Sequence, residues 1–127
     1  MNRSLVAWAG IILESERAEG KEDVVVDLII EHHHFDWLED FKLSENIFVL
    51  SSKGEGRFSA RWILSTSYGL EAIREWTAPK NMVIVYGKPV GVSSGIIELA
   101  PMHIRFIPQR RYKFSEYPYG RHAGFHY

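Results

Sequence analysis

Three consecutive histidines, His32, His33 and His34, followed by Asp36, form the most conspicuous cluster of chemically capable side chains. Imidazole is the commonest metal ligand in proteins, and alternate residues of a strand project to the same side. His32, His34 and Asp36 therefore fit a two-histidine, one-carboxylate set for zinc, copper or nickel. The alternative interpretation, a polar strand end that binds no metal, has the greater weight.

A second group of candidate residues is acidic. Asp36, Glu39 and Asp40 have spacings that would share one face of a helix. Acid–base catalysis would need one of these carboxyl groups desolvated and another left charged, and the local sequence offers no apolar pocket for either. A solvated acidic loop is the better interpretation. The sequence also lacks a GxSxG motif and a glycine-rich phosphate loop leading into a helix. We therefore predict no enzymatic activity and no cofactor.

Arginines mark the candidate ligand-binding segments. Arg57 and Arg61 alternate along one predicted strand and would share a face there. Arg110 and Arg111 precede Tyr112 in a tail, residues 108–127, that mixes basic residues with six of the chain's 17 aromatic residues. These five side chains are the predicted ligand-binding set. We expect the tail to pack on its own barrel or on a second subunit, with membrane or ligand contact as alternatives.

Composition places all these candidates in one small domain. The chain has 127 residues and a mass of 14.7 kDa, with 46% hydrophobic residues and no cysteine. Disulfides, thiol catalysis and Cys-ligated zinc are therefore excluded, and no apolar run reaches the ~18 residues that span a bilayer. The formal net charge of −1 hides an acidic front, with eleven acidic and three basic residues in 13–45, and a basic tail. This balance disfavours nucleic acid as a partner.

The elements that must position these residues are mostly strands. Runs of β-branched residues and a period-of-two alternation predict strands over Ser4–Glu14, Asp23–Glu31, Arg57–Leu64, Asn81–Tyr86 and Ile96–Ile107. Apolar residues at helical spacing predict a short helix in residues 68–76. We expect a charged loop over Ser15–Glu22, a turn-rich loop over Lys88–Gly95, a small extra strand within Ile47–Ser51 and a turn of helix in residues 36–41.

This order predicts an all-β domain, a five-stranded OB-like Greek-key barrel with one short helix between strands three and four. A small set of strands must hide its edges, and closure into a barrel does so best. A split sandwich or an SH3-like barrel is the alternative. The predicted domain covers residues 1–107, and residues 108–127 form the tail.

Four segments carry a resemblance to a known family. VAWAGIIL (Val6–Leu13) resembles the V-x-W-G-G-x-I opening strand of the starvation-lipoprotein (Slp) family of bacterial outer-membrane lipoproteins. GEGRFSARW (Gly54–Trp62) is similar to the family's G-R-F segment, VIVYG (Val83–Gly87) to its V-T-V-x-G strand, and GIIELAPMHIRF (Gly95–Phe106) to its closing strand. The segments occur in the family's order. Two features depart from the pattern: Ala9 stands where the family has the first glycine of its pair, and the lipid-bearing cysteine and signal sequence are not in this chain.

The resemblance implies an OB-like barrel tethered to the outer membrane on its periplasmic side, with envelope components as partners and no established enzymatic activity. We therefore expect a non-enzymatic cell-envelope protein with a structural, binding or stress-related role. One alternative is an OB module that binds single-stranded nucleic acid or an oligosaccharide, and another is a metal-binding protein that uses His32, His34 and Asp36. A native start at Met1 would instead favour the cytoplasm.

Overall fold

A computed structural model describes residues 4–34 and 47–114 of the chain. Seven strands and one α-helix occur within these ranges, together with short 3-10 turns at Thr66–Tyr68 and Gln109–Arg111. In chain order the elements are β1 (Val6–Glu19), β2 (Asp23–His32), β3 (Phe48–Leu50), β4 (Arg57–Ser65), α1 (Leu70–Trp76), β5 (Met82–Ser93), β6 (Ile96–Ile107) and β7 (Tyr112–Phe114). Within the described ranges, no helix has the length and apolar character needed to span a bilayer.

Five strands close into a barrel in the order β1-β2-β4-β6-β5, with β5 returning to β1. The neighbouring pairs are antiparallel except β4 and β6, which run parallel over Phe58–Ala60 and Ile97–Leu99. Helix α1 lies between the third and fourth barrel strands and packs Ile73 into the barrel interior. The prediction of an all-β, OB-like barrel with a single short helix is confirmed.

The barrel interior is filled by alternate residues of every barrel strand. On β4, Phe58, Ala60 and Leu64 are buried, whereas Arg57 and Arg61 are exposed, as the period-of-two pattern predicts. Trp8, Trp62 and Trp76 are partly buried and pack against the same core. The main buried set comprises Ile12, Val24, Val26, Leu28, Ile30, Phe58, Ala60, Leu64, Ile73, Val83, Val85, Leu99 and Ile104.

Two connections are shorter than predicted because the strands on either side continue through charged or glycine-containing sequence. The expected loop at Ser15–Glu22 is wrong, since β1 continues to Glu19 and pairs with β2 beyond a bulge between Ile12 and Glu14. The expected loop at Lys88–Gly95 is also wrong. There, β5 and β6 pair up to a tight turn at Ser94 and Gly95, where φ is 53° and 79°, angles that suit a two-residue hairpin turn.

Outside the barrel, β3 and β7 form a two-stranded parallel sheet. This sheet belongs to a second apolar cluster that contains Ala9, Ile11, Leu50, Met82, Ile84 and Ile107, with Phe48 and Tyr112 packed against it. The extra strand predicted within Ile47–Ser51 therefore forms. Residues 108–114 of the tail turn back and pair with that strand. The predicted helical turn in residues 36–41 and the remainder of the tail lie outside the described residues.

Candidate functional site

The structure distributes the predicted site residues over three regions. His32 and His34 lie at the end of the barrel opposite α1, which we call the open end. Arg57 and Arg61 lie on the outer face of β2 and β4. Arg110, Arg111 and Tyr112 lie near α1, at the helix end. Asp36 is outside the described residues.

At the open end, His32 is part of an aromatic stack. Its ring lies 5.0 Å from that of Trp8, in a stacked geometry, and contacts Phe58 edge-on at 5.9 Å. The ring of His34 lies 4.8 Å from the ring of His32, so the alternate histidines do project together. Burial, and secondly the neighbouring His34, lower the pKa of His32. His32 therefore favours its neutral form, the form in which imidazole binds metals.

His33 projects to the opposite side and is buried, with 2% of its surface exposed. Its Nδ1 donates to the carbonyl oxygen of Ser51 at 2.8 Å, and its Nε2 lies 2.8 Å from Oε1 of Glu31. The ring also contacts Phe114 of β7 at 5.1 Å. His33 thus fastens the end of β2 to the β3–β7 sheet. The sequence contained no signal that separates this structural histidine from its two neighbours, apart from strand alternation.

Within the residues that the structure describes, no three histidine or carboxylate side chains come together in a metal-binding arrangement. His32 and His34 provide two candidate ligands, and the predicted third, Asp36, is outside the described residues. Structural zinc sites use four protein ligands and catalytic sites three, so the pair alone does not make up the predicted ligand set.

On the outer face of β2 and β4, Arg61 is already engaged. Its Nε and Nη2 donate to the two carboxylate oxygens of Asp27 at 2.7 and 3.2 Å, and this hydrogen bond raises the pKa of the guanidinium. Arg57 stands opposite Glu31 in the strand register. Register pairing also brings Glu14, Glu16 and Glu98 of β1 and β6 beside this face. Carboxylates therefore outnumber the arginines, and the face repels a phosphate backbone.

At the helix end, Tyr112 has a structural contact. Its hydroxyl donates to the carbonyl oxygen of Lys80 at 2.6 Å while its ring packs on the second apolar cluster, and burial raises the pKa of the hydroxyl. Arg111 is half-buried and its backbone N–H donates to the carbonyl oxygen of Pro108. Of the three predicted tail residues, Arg110 lines a cleft at the helix end.

This helix-end cleft has a volume of about 410 Å³ and lies between the end of α1 and the residues that follow β6. Its lining includes Glu75, Trp76, Asn81, Phe106, Gln109 and Arg110. Asn81 fixes its shape, because Nδ2 donates to the carbonyl oxygens of Glu75 and Trp76 at 2.7 and 3.2 Å. Except for Arg110, sequence reasoning missed this cleft, since three separate segments assemble it and none carries a motif.

The glycines that support the family resemblance occupy two close approaches in the barrel. A Cβ on Gly10 would overlap the carbonyl oxygen of Glu31 and lie 2.5 Å from Cγ2 of Ile30. A Cβ on Gly87 would overlap the carbonyl oxygen of Ala100 and lie 2.9 Å from Cα of Pro101. Ala9, the departure from the family's glycine pair, packs its methyl group into the second apolar cluster.

Compared with known proteins, the chain matches no family model and no curated protein.

Proposed function

We propose that this protein is a non-enzymatic binding protein of the bacterial cell envelope, of the starvation-lipoprotein type. The observation that supports the proposal most is the location of the four resembling segments. They contribute to β1, β4, β5 and β6, four of the five strands that close the barrel. The resembling segments are therefore strands of one closed barrel, the architecture that the resemblance implies, and are not unrelated stretches of surface sequence.

The glycine pattern adds support at the level of single residues. Gly10 and Gly87 stand where the neighbouring strand leaves no room for a side chain, and both belong to resembling segments. The one glycine of the family's pair that this chain replaces corresponds to Ala9, where the packing accepts a methyl group. A substitution confined to the tolerant position is the pattern expected of a relative that retains the same barrel.

The helix end is the best-supported binding surface for this role. Arg61, which the sequence placed in the ligand-binding set, is paired with Asp27, and the carboxylates around it oppose an anionic partner. Arg110 instead lines a cleft with aromatic walls. Binding at the helix end also leaves the barrel interior and the His33 contacts intact.

The envelope location has a direct test. The intact chromosomal gene, with whatever precedes residue 1, would carry an epitope tag at its end, and cells would be separated into cytosol, periplasm, inner membrane and outer membrane. We expect the tagged protein in the outer-membrane fraction together with an established outer-membrane marker. Recovery in the cytosol with a cytosolic marker would overturn the proposal.

Metal binding is a second candidate function, favoured by the 4.8 Å separation of the His32 and His34 rings. Untagged protein would be titrated with zinc alone by calorimetry, beside the His34→Gln variant. His103→Gln is the matched control, because His103 is exposed and stacks on Tyr86, away from the histidine cluster. Loss of zinc binding in His34→Gln, with binding retained in His103→Gln, is the expected result. Equal affinity in all three proteins would exclude this site.

A further inference from the structure

We propose that the helix-end cleft binds a small zwitterion with an aromatic ring, of the class of the aromatic α-amino acids. The proposal names a ligand class for the binding surface described above but does not depend on where in the cell the protein works. Three features of the cleft support it: two opposite charges at its edge, an aromatic wall, and an acceptor oxygen held in place.

The two charges are Glu75 and Arg110. Both line the cleft and both are exposed, yet neither forms an ion pair or a side-chain hydrogen bond with another described residue. Arg74, the immediate neighbour of Glu75, is by contrast held by Glu19 through hydrogen bonds of 2.9 and 2.7 Å. The arginine closest in sequence to Glu75 is therefore already occupied. One carboxylate and one guanidinium on the same cavity are therefore without an ion-pair partner among residues 4–34 and 47–114.

The cleft also has an aromatic wall. Trp76 and Phe106 are partly buried and pack on the barrel core, so their rings are held in position before a ligand arrives. Aromatic rings prefer offset-stacked or edge-to-face contacts, and each such pair contributes beyond simple burial. The volume of about 410 Å³ lies toward the lower end of small-molecule pockets, which suits a ligand of amino-acid size.

Asn81 supplies the held acceptor. Its Nδ2 donates to the carbonyl oxygens of Glu75 and Trp76, and these hydrogen bonds fix the orientation of the amide. The Oδ1 of Asn81 then remains as an acceptor for a ligand. A ligand ammonium group would lie beside Glu75 with Oδ1 as a second acceptor. The ligand carboxylate would pair with the Arg110 guanidinium, whose fork of N–H donors matches two oxygens.

This arrangement predicts that both ligand charges matter. When a bound ligand lacks the ammonium group, the Glu75 carboxylate has no opposite charge beside it. When the ligand lacks the carboxylate, the Arg110 guanidinium has none. An unpaired charged group at a partly desolvated contact is unfavourable. The cleft should therefore prefer phenylalanine to N-acetylphenylalanine and to phenylalaninamide, which share its ring.

The test is a titration of the full chain with L-phenylalanine, followed through the indole N–H resonance of Trp76, which the Trp76→Phe variant assigns. We expect that resonance to shift at millimolar or lower phenylalanine while that of Trp8, at the open end, stays in place. N-acetylphenylalanine and phenylalaninamide should bind roughly tenfold more weakly, the value of one charge-assisted hydrogen bond. No shift of Trp76 with phenylalanine at millimolar concentrations would overturn the proposal.

Two variants assign the charges. Arg110→Gln should weaken phenylalanine binding roughly tenfold and abolish the preference over phenylalaninamide, and Glu75→Gln should abolish the preference over N-acetylphenylalanine. Lys88→Gln and Glu71→Gln are the matched controls, because both residues are exposed and neither lines the cleft. Binding that is unchanged in Arg110→Gln and Glu75→Gln would refute the charge assignment. Fractionation of cells tests the envelope proposal separately, so either can fail without the other.

Discussion

Replacing Gly10 of β1 by alanine should destabilise the barrel strongly, whereas the same replacement at Gly91 of β5 should not. At Gly10, β1 passes so close to β2 that a Cβ would overlap the carbonyl oxygen of Glu31 and lie 3.0 Å from its carbonyl carbon. The obstacle is backbone, which cannot rotate away as a side chain can. Either β1 or β2 must move, and the barrel is closed on both sides of this contact.

The magnitude follows from what that movement disrupts. Overpacking a tight interior costs about 1–3 kcal/mol, and each backbone hydrogen bond that the movement weakens adds about 1 kcal/mol. The residues displaced include Glu31, whose carboxylate holds Nε2 of the buried His33. We therefore expect Gly10→Ala to lower the free energy of unfolding by about 3 kcal/mol, with a fall in Tm of about 10 °C.

The assay is equilibrium unfolding in urea, with equal slopes required for the comparison. Gly91→Ala is the matched control: it also lies in a barrel strand, has no positive φ, and the nearest atom to its added Cβ would be Oε1 of Glu98 at 3.9 Å. The control should be stabilised by about 0.4–1 kcal/mol because alanine restricts the unfolded chain. A Gly10→Ala protein within about 1 kcal/mol of the wild type would show that the close approach does not constrain the barrel.

Three further perturbations test the core, the histidine cluster and the outer face. Phe58→Ala should cost about 3–5 kcal/mol in urea unfolding, because the ring is fully buried beneath Trp8 and His32; a cost below about 1 kcal/mol would contradict this packing. The folded state lowers the pKa of His32 from its usual 6.5, so the unfolded chain binds the proton more tightly and stability falls as the pH drops below 6.5. The His32→Gln variant should lose part of that pH dependence of stability. An unchanged dependence would refute the assignment of the effect to His32. Labelled single-stranded oligonucleotides should not bind at low salt, because carboxylates surround Arg57 and Arg61; salt-sensitive binding would contradict the acidic face.

The sequence was sufficient to predict β4 because one face of that strand meets the core and the other meets solvent. Burial then alternates with period two, and the residue types of Phe58 and Arg61 are enough to predict which of them faces the core and which faces solvent. The far half of β1 has no such contrast. There, Arg17 donates to Oγ1 of Thr77 and Glu19 pairs with Arg74. Charged residues therefore stand at strand positions where a sequence prediction looks for alternating apolar residues. Only the fold reveals those partners.

The candidate site divides in the same way. The alternation of side chains correctly placed the rings of His32 and His34 together, although β2 ends at His32, because that contact depends only on the local backbone. The helix-end cleft is assembled from segments that lie far apart in the chain, those around Glu75 and Arg110 among them, and no spacing rule in the sequence reports such an assembly. Arg61 shows the converse failure. Its type and position suggested a ligand contact, but the residue opposite in register, Asp27, had already paired with it.

The uneven charge of the chain acquires a spatial meaning once the strands are placed. Acidic residues of the front half, including Glu14 and Glu16, line the outer face beside β2. Arg110 lies instead at the helix end, on the same cleft as Glu75 and near the exposed Lys80. An approaching carboxylate is repelled by the first surface, and such fields act before contact is made. The cleft itself carries both signs of charge, Glu75 and Arg110, so its field favours a partner with both charges over a simple anion.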